Sequence, residues 1–523
     1  MENPQIRRVL MSVTDKTGVV DFAKALVDEF GCQIISTGGT ARAIADAGIP
    51  VTPIDEVTQF PEMMDGRVKT LHPRVHGGLL AKRDDAAHMS QAAEHGIEMI
   101  DMVVVNLYAF QKTVDSGAGF AQCIENIDIG GPSMLRSAAK NFASVTVVTD
   151  PASYGDILAE MRELDGRTSF DTRQALALQV FATTAAYDGA IARWMGEQQD
   201  GEAGLFAPAV ELGLTKEQDL RYGENPHQAA AFYTLDDYPN ADTTLAHALQ
   251  LQGKELSYNN YLDLDAAWAA VREYEEPACV IVKHLTPCGV CVDGDVTTAY
   301  KRAHECDPVS AYGGVMAFNR PVTGETVVAI FENKQFVEAI VAPEFSGDAC
   351  EMYASKPNCR LLATGGVNAP GAVAEYRSVE GGLLAQVSDS VSEDAETFTV
   401  AGEVQPTSEQ MEELMFAWRA VKSVKSNAIL IAKDNASVGA GGGQPNRVNS
   451  ARIAVEQAGD KAKGAVAASD AFFPFRDGFD VLADAGVVAV IEPGGSIRDE
   501  EVIQAANEKG VALVFTGHRH FRH

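Results

Sequence analysis

The sequence predicts an α/β protein whose first part is built on a parallel sheet. Two observations carry this. Short continuous apolar runs alternate with segments of helical period, as buried parallel strands and their crossover helices do. A Gly- and Pro-bearing stretch at 201–208 then sets this part off from a longer one with the same mixture. In order, residues 7–13 read as a strand closed by Thr14-Asp15, and 19–30 as a helix. Residues 32–36 form the next strand, closed by Thr37-Gly-Gly-Thr40; 101–108 and 144–149 are further strands. A long helical stretch over 172–198 ends the unit, so the boundary falls near 200. Beyond it, strands are expected at 278–284, 315–319, 427–433, 464–469, 487–491 and 511–516. No solenoid-like period is present, although the last third could echo the segment before it.

The 523 residues hold 42 Lys and Arg against 73 Asp and Glu, a formal net charge of −31. This length corresponds to roughly two to four domains. The excess of acid excludes broad binding to a nucleic-acid backbone and makes clustered basic residues the informative minority. No apolar run approaches the roughly 18 residues of a spanning helix. The first eight residues have no apolar stretch of a secretory signal. Eight cysteines over this length make no disulfide framework. The expectation is a reduced, cytoplasmic protein with small-molecule partners and neither membrane nor nucleic acid.

In the first domain two strand ends carry loops that suit a phosphate: Ser12-Val-Thr-Asp-Lys16 and Ser36-Thr-Gly-Gly-Thr40. Glycine lets a backbone approach an anion, and a helix N-terminus offers free N–H groups. Neither loop matches a P-loop or dinucleotide fingerprint, and either alone also serves as an ordinary strand-to-helix turn. Gly66-Arg-Val-Lys-Thr-Leu-His-Pro73 places Arg67, Lys69 and His72 in one short segment. Asn106 and Tyr108 stand where a buried strand emerges. Asp128 precedes the helix at 132–141, as a cap or a functional carboxylate. Arg136 and Lys140 share a face of that helix, which also suits a solvated surface.

In the second domain Arg221-Tyr-Gly-Glu-Asn-Pro-His-Gln228 concentrates hydrogen-bonding side chains without strand or helix period. Lys283-His284 ends an apolar strand; an imidazole next to an ammonium is favoured in its neutral, proton-accepting form, while a strand-end histidine satisfied by backbone is the structural alternative. Pro287-Cys-Gly-Val-Cys291 is half of a zinc-deaminase signature, but no His-x-Glu precedes it. Asn427 opens a strand. Residues 439–447 read as a Gly-rich loop before a helix, and 470–477 interleave three Phe with charge, suited to stacking on a flat heterocycle. The tail from His518 to His523 is basic and imidazole-rich.

Together these motifs resemble the family of bifunctional purine-biosynthesis proteins that join IMP cyclohydrolase to AICAR transformylase. The match runs from Ser12 to His523 in family order, over 12–18, 66–73, 128–141, 221–228, 256–260, 283–284, 310–314, 470–477 and 519–523. The resemblance implies a methylglyoxal-synthase-like parallel-sheet domain over 1–199. Over 200–523 it implies two cytidine-deaminase-like α/β subdomains without zinc, split near 375–405. The implied activity is formyl transfer from 10-formyltetrahydrofolate to AICAR, then dehydrative closure of formyl-AICAR to IMP, with no metal or redox cofactor. A homodimer sharing the transformylase site is also implied.

Carried over by residue, the resemblance gives Lys283, His284 and Asn427 to formyl transfer. It sets Arg221, Tyr222, Gly313, Glu338, Arg447, Phe472, Asp477 and Arg519 around nucleotide and folate. It gives Lys69, Tyr108, Asp128 and Lys140 to cyclisation, with Thr14, Asp15, Lys16, Thr37, Gly38, Gly39, Thr40, Arg67, Thr70 and Asn106 around the nucleotide. Leu285-Thr286 after the pair, Tyr312 where Phe is commoner, and Glu338 where some members have Asp depart from the family. The competing readings are a zinc-dependent nucleotide deaminase and a non-catalytic nucleotide-sensing module.

Overall fold

The computed structural model describes residues 3–198, 206, 210, 212–235, 238–369, 371–391 and 394–523. The linker expected at 201–208 lies, apart from Phe206, outside them. The chain divides into two compact units, Met1–Glu211 and Leu212–His523.

In the first unit the strands are β1 (Arg8–Val13), β2 (Gln33–Ser36), β3 (Val51–Pro53), β4 (Met102–Asn106) and β5 (Thr146–Val148). They form a parallel sheet in the order β3-β2-β1-β4-β5. Their continuous apolar runs follow from burial on both faces: Val9, Leu10, Met11 and Val103 have no exposed surface. Helices α1 (Val19–Asp28), α2 (Gly38–Asp46), α3 (Pro73–Leu80), α4 (Gly130–Lys140) and α5 (Phe170–Glu197) accompany it. The strand order reverses between β1 and β4, so the crevice beyond their carboxyl ends is the natural ligand site. Helix α5 has the length and mean composition that a membrane-crossing helix would need, although Asp171, Arg173, Asp188 and Arg193 interrupt its apolar run. It lays Leu176, Ala177 and Val180 into the core of this unit.

The second unit opens with β6 (Leu214–Leu220), β7 (Ala230–Leu235) and β8 (Leu249–Gln252). Then come α6 (Tyr258–Val271), β9 (Ala278–Lys283), β10 (Thr286–Val292), α7 (Val296–His304), β11 (Gly314–Phe318), β12 (Val337–Ala342) and β13 (Arg360–Ala363). A hairpin follows, β14 (Ala374–Val379) and β15 (Gly382–Val387), and then β16 (Thr399–Val400). The order then recurs: α8 (Ser408–Val421), β17 (Ile429–Lys433), β18 (Ala436–Gly441), α9 (Arg447–Ala458), β19 (Val466–Ser469), α10 (Arg476–Asp484), β20 (Ala489–Glu492), α11 (Asp499–Lys509) and β21 (Ala512–Phe515).

These strands build one mixed sheet of twelve, β16-β21-β20-β19-β17-β18-β10-β9-β11-β12-β13-β8. Its halves repeat. Trp268 and Trp418, Lys283 and Lys433, and the capping boxes begun by Ser257 and Thr407 all stand 150 positions apart (418 − 268). The central pair β10–β18 is antiparallel, so the two halves point opposite ways and equivalent features emerge at opposite edges. Neighbouring pairings put the end of β9, the starts of β11, β12 and β17, and the ends of β19, β20 and β21 at one edge.

The Gly-rich loop expected at 439–447 is partly strand. A Cβ on Gly439 or Gly441 would run into the carbonyls of Ala454 and Ser450 on α9. These glycines serve helix-on-strand packing, as Gly289 does against Ala303 in the first half.

Candidate active sites

At the β1–β4 crevice of the first unit, Asn106 joins the two strand ends. Its Oδ1 accepts the amides of Thr14 (2.6 Å) and Asp15 (2.9 Å), and its Nδ2 donates to the Asp15 carbonyl at 2.9 Å. Asp15 accepts the hydroxyl and amide of Thr17, which hold its carboxyl below the usual range. Thr40 is taken up structurally: its hydroxyl bonds both N and O of Val13 at 3.0 Å, tying α2 to β1. Thr37, at the N-cap of α2, makes no capping bond, and its Oγ1 is buried without a partner.

Two ammonium groups reach this helix start. A Cβ on Gly38 would lie 3.6 Å from Lys69 Nζ, and one on Gly39 3.8 Å from Lys16 Nζ. Lys69 is held by Glu62 at 2.8 Å. Thr37, Gly38, Asp55, Phe60, Glu62 and Lys69 line a cleft of about 260 Å³. Free N–H groups, a helix N-terminus and two lysines make this a basin for an anion.

The next residue, Thr70, is buried, and its hydroxyl would lie 2.7 Å from a Cβ on Gly130 at the start of α4. There Asp128 Oδ1 accepts the Gly131 amide at 2.8 Å, and its own amide donates to the Tyr187 hydroxyl at 2.9 Å. Burial pushes the Asp128 carboxyl up, against the opposing pull of the Gly131, Tyr108 and Gly130 amides. Asp128 therefore keeps a proton to higher pH than an ordinary carboxyl, beside the half-exposed Tyr108. The other predicted residues stand apart. Arg67 binds Glu125 through a two-pronged ion pair, and Lys140 is exposed on the last turn of α4, about 15 Å along the axis from Gly130.

In the second unit β9 stops at Lys283, and His284 and Leu285 form a two-residue turn at φ 54° and 62°. Neither is glycine, so the backbone is strained here. Asp263 of α6 offsets this by accepting the His284 amide (3.3 Å) and the Leu285 amide (2.7 Å). Lys283 Nζ donates to the Tyr312 carbonyl at 2.8 Å and lies 4.0 Å from where Gly313 would carry a Cβ. At φ 80° Gly313 tolerates no side chain readily. The second half copies this device at the opposite edge: Lys433 donates to the Lys463 carbonyl at 2.8 Å and Glu413 accepts the Asp434 amide at 2.7 Å. An aspartate stands there in place of the exposed His284.

The second group surrounds Asn427. Its Nδ2 donates to the Gln444 carbonyl and its Oδ1 accepts from Arg447 Nη2, both at 2.8 Å. Arg447, 5% exposed, also pairs with the fully buried Asp470. It therefore stands behind Asn427 rather than in the open. Phe472 is partly exposed, while Asp477 Oδ1 accepts the next amide at the start of α10. Exposed Arg519 lies over Phe521, and neighbouring His520 is buried on Trp418, with Nδ1 2.6 Å from Asp389. Glu338 is paired with Arg360 at 2.9 Å. Arg221 packs over the Tyr222 ring in a loop tethered to α6 by Asn259. Cys288 and Cys291 are buried and burial pushes both thiols up to about 12, which disfavours a metal-binding thiolate. Among the described residues no group of three His, Cys, Asp or Glu could hold a metal.

Residues 138–457 match the model of the AICARFT/IMPCHase bienzyme family, and 18–133 that of the MGS-like domain. The bifunctional purine biosynthesis protein PurH of Magnetococcus marinus is 52% identical over 99% of this chain and all of its own. PurH of Listeria monocytogenes is 53% identical at the same coverage. The chain belongs to the AICARFT/IMPCHase bienzyme family. A solved structure titled "Crystal structure of ForH" is 36% identical over 36% of this chain and all of its own, with a TM-score of 0.34.

Family membership accords with an MGS-like parallel-sheet unit followed by a mixed α/β unit. Several residues of this bienzyme chain escaped sequence reasoning. Glu62, Glu125 and Tyr187 meet their partners only through the fold. Asp263 had a signal in the repeat, because Glu413 stands 150 positions on (413 − 263) and caps the equivalent turn.

Proposed function

We infer that the second unit transfers the formyl group and the first closes the ring, so that the chain performs the last two steps of IMP synthesis. The observation that carries this is the Lys283–His284 turn, locked by Asp263 and placed against Gly313. As the 5-amino group of AICAR attacks the formyl carbon of 10-formyltetrahydrofolate, His284 takes its proton. Two Lys283 N–H groups not used on Tyr312, or the Asn427 amide, steady the tetrahedral oxyanion. Collapse expels the folate nitrogen, which takes up a proton. In the first unit the carboxamide nitrogen attacks the formyl carbon and water leaves. Lys69 polarises the formyl oxygen, Asp128 and Tyr108 move protons, and the α2 basin takes the phosphate. Both steps are redox-neutral and call for no metal.

Asp128→Asn is expected to cut ring closure about 100-fold or more while formyl transfer persists. Formyl-AICAR then accumulates from AICAR, followed by chromatography. Loss of formyl transfer in this variant would oppose the division of labour.

We further infer a homodimer in which one protomer supplies the Lys283–His284 group and its partner the Asn427 group. Within one chain β9 and β17 are three strand steps apart, roughly 14 Å at about 4.8 Å per step. The β14–β15 hairpin also exposes Val379 and Leu384 on one face and Leu383 and Val387 on the other, apolar surface suited to a second copy. Mixing His284→Ala with Asn427→Ala protein and exchanging subunits should restore about a quarter of wild-type formyl transfer, since half the dimers then hold one intact site. No recovery after verified exchange would place both groups in one chain. The eight free cysteines fit a reducing compartment and hence the cytoplasm.

A further inference from the structure

The two edges of the twelve-stranded sheet offer an internal comparison. Equivalent positions in the two halves can be matched bond for bond. Thr364 N–H donates to the Ala342 carbonyl at 3.0 Å and Thr516 N–H to the Glu492 carbonyl at 2.9 Å. Gly365 N–H donates to Pro343 and Gly517 N–H to Pro493, each at 3.0 Å. Asn319 Oδ1 accepts the Ala278 amide (2.8 Å), as Asp470 Oδ1 accepts that of Ala428 (3.0 Å). On one edge the slots hold Asn319, Val296 at the start of α7, and Ala342. On the edge that carries the Asn427 group they hold Asp470, Arg447 and Glu492. The fold itself therefore asks for no carboxyl at the end of β20.

Glu492 has no exposed surface. Its Oε2 accepts the Phe473 amide at 2.8 Å, and its Oε1 is buried without a partner. Phe473 lies between Phe472 and Asp477, in the segment joining β19 to α10. The charged groups acting on Glu492 are Asp499 of α11 and Arg447 of α9, and Arg447 is already paired with Asp470.

We propose that Glu492 is a positioning residue for formyl transfer: its hold on the Phe473 amide fixes the segment that presents Phe472 and Asp477 to the folate. This rests on the formyl-transfer reading above. Burial pushes the Glu492 carboxyl up to about 8. Raised above its ordinary value, the group favours the folded protein when protonated. The benefit is complete below the ordinary carboxylate range and declines as pH rises toward 8, where a buried anion forms with no cation left to pair it. The Phe473 amide bond itself favours the anion, so on the alkaline side it is the buried charge, drawn toward water, that should loosen the segment.

Steady-state formyl transfer by the full-length protein from pH 6 to 9 tests this, with ring closure of formyl-AICAR by the same samples as an internal check of folding. Glu492→Ala, which installs the residue of the other half, should raise the KM for 10-formyltetrahydrofolate about tenfold or more with a smaller change in kcat. Glu492→Gln retains an acceptor for Phe473 and cannot ionise. It should bring KM back toward wild type and abolish the alkaline rise in KM that the wild-type protein is expected to show near pH 8. A Glu492→Ala variant with wild-type KM, or a Glu492→Gln variant with the wild-type pH profile, would overturn the proposal while wild-type transfer stands. A wild-type protein with no formyl transfer would overturn the underlying reading instead.

Discussion

His284→Ala is expected to lower formyl transfer by about a thousandfold, the scale of a lost general base, and to leave ring closure of supplied formyl-AICAR unchanged. The effect is large because nothing nearby replaces the imidazole. Lys283 is engaged with the Tyr312 carbonyl, and Asp263 with the two turn amides. Alanine is somewhat more strained than histidine at φ 54°, but Asp263 still accepts both turn amides, so the turn itself should persist. Stopped assays of each half-reaction on one preparation separate the two activities. Equal loss of both would contradict a two-site enzyme, and retention of formyl transfer would remove His284 from the chemistry.

Arg447→Ala should destabilise the second unit by about 3–5 kcal/mol, the scale of breaking a buried ion pair from one side. Asp470 has no exposed surface, and without the guanidinium its charge would be left to the Ala428 amide and the Ser426 hydroxyl. Asn427 would lose the donor to its Oδ1, so formyl transfer should fall even where the unit remains folded. Denaturant unfolding read through tryptophan fluorescence, to which Trp268 and Trp418 of this unit both contribute, measures the first effect and assays below the transition the second. A loss under about 1 kcal/mol would mean that solvent reaches Asp470 in the folded protein.

Much of the fold was legible because burial writes itself into composition. Runs such as Met102–Asn106 and Ala278–Lys283 have no polar residue to spare for solvent until their last position, and that position is where each strand reaches a site. Gly439 and Gly441 misled for the opposite reason: a glycine needed by a packed helix looks the same in sequence as one needed by a ligand. The 150-residue repeat was nearly silent, since only a few anchors such as Trp268 and Trp418 survive in both halves. The candidate site was legible where chemistry is concentrated along the chain, as in Lys283-His284. The Arg447–Asp470–Asn427 network was not, because its members are brought together by strand pairing. Arg447 carries a buried structural charge behind Asn427, and the reading of it as a ligand contact missed that support. The acidic surplus tells little about the sites, where Lys16 and Lys69 converge on α2 and Lys283 lies over Gly313.

The central claim is that one chain holds two separate catalytic sites acting in sequence. Its most direct test mixes His284→Ala with Asp128→Asn protein, supplies AICAR and 10-formyltetrahydrofolate, and follows IMP. Alone, the first variant should form almost no product and the second should stop at formyl-AICAR; together they should make IMP as the intermediate passes between them. A silent mixture of variants that are each active in their own half-reaction, or IMP from either variant alone at the wild-type rate, would contradict the account.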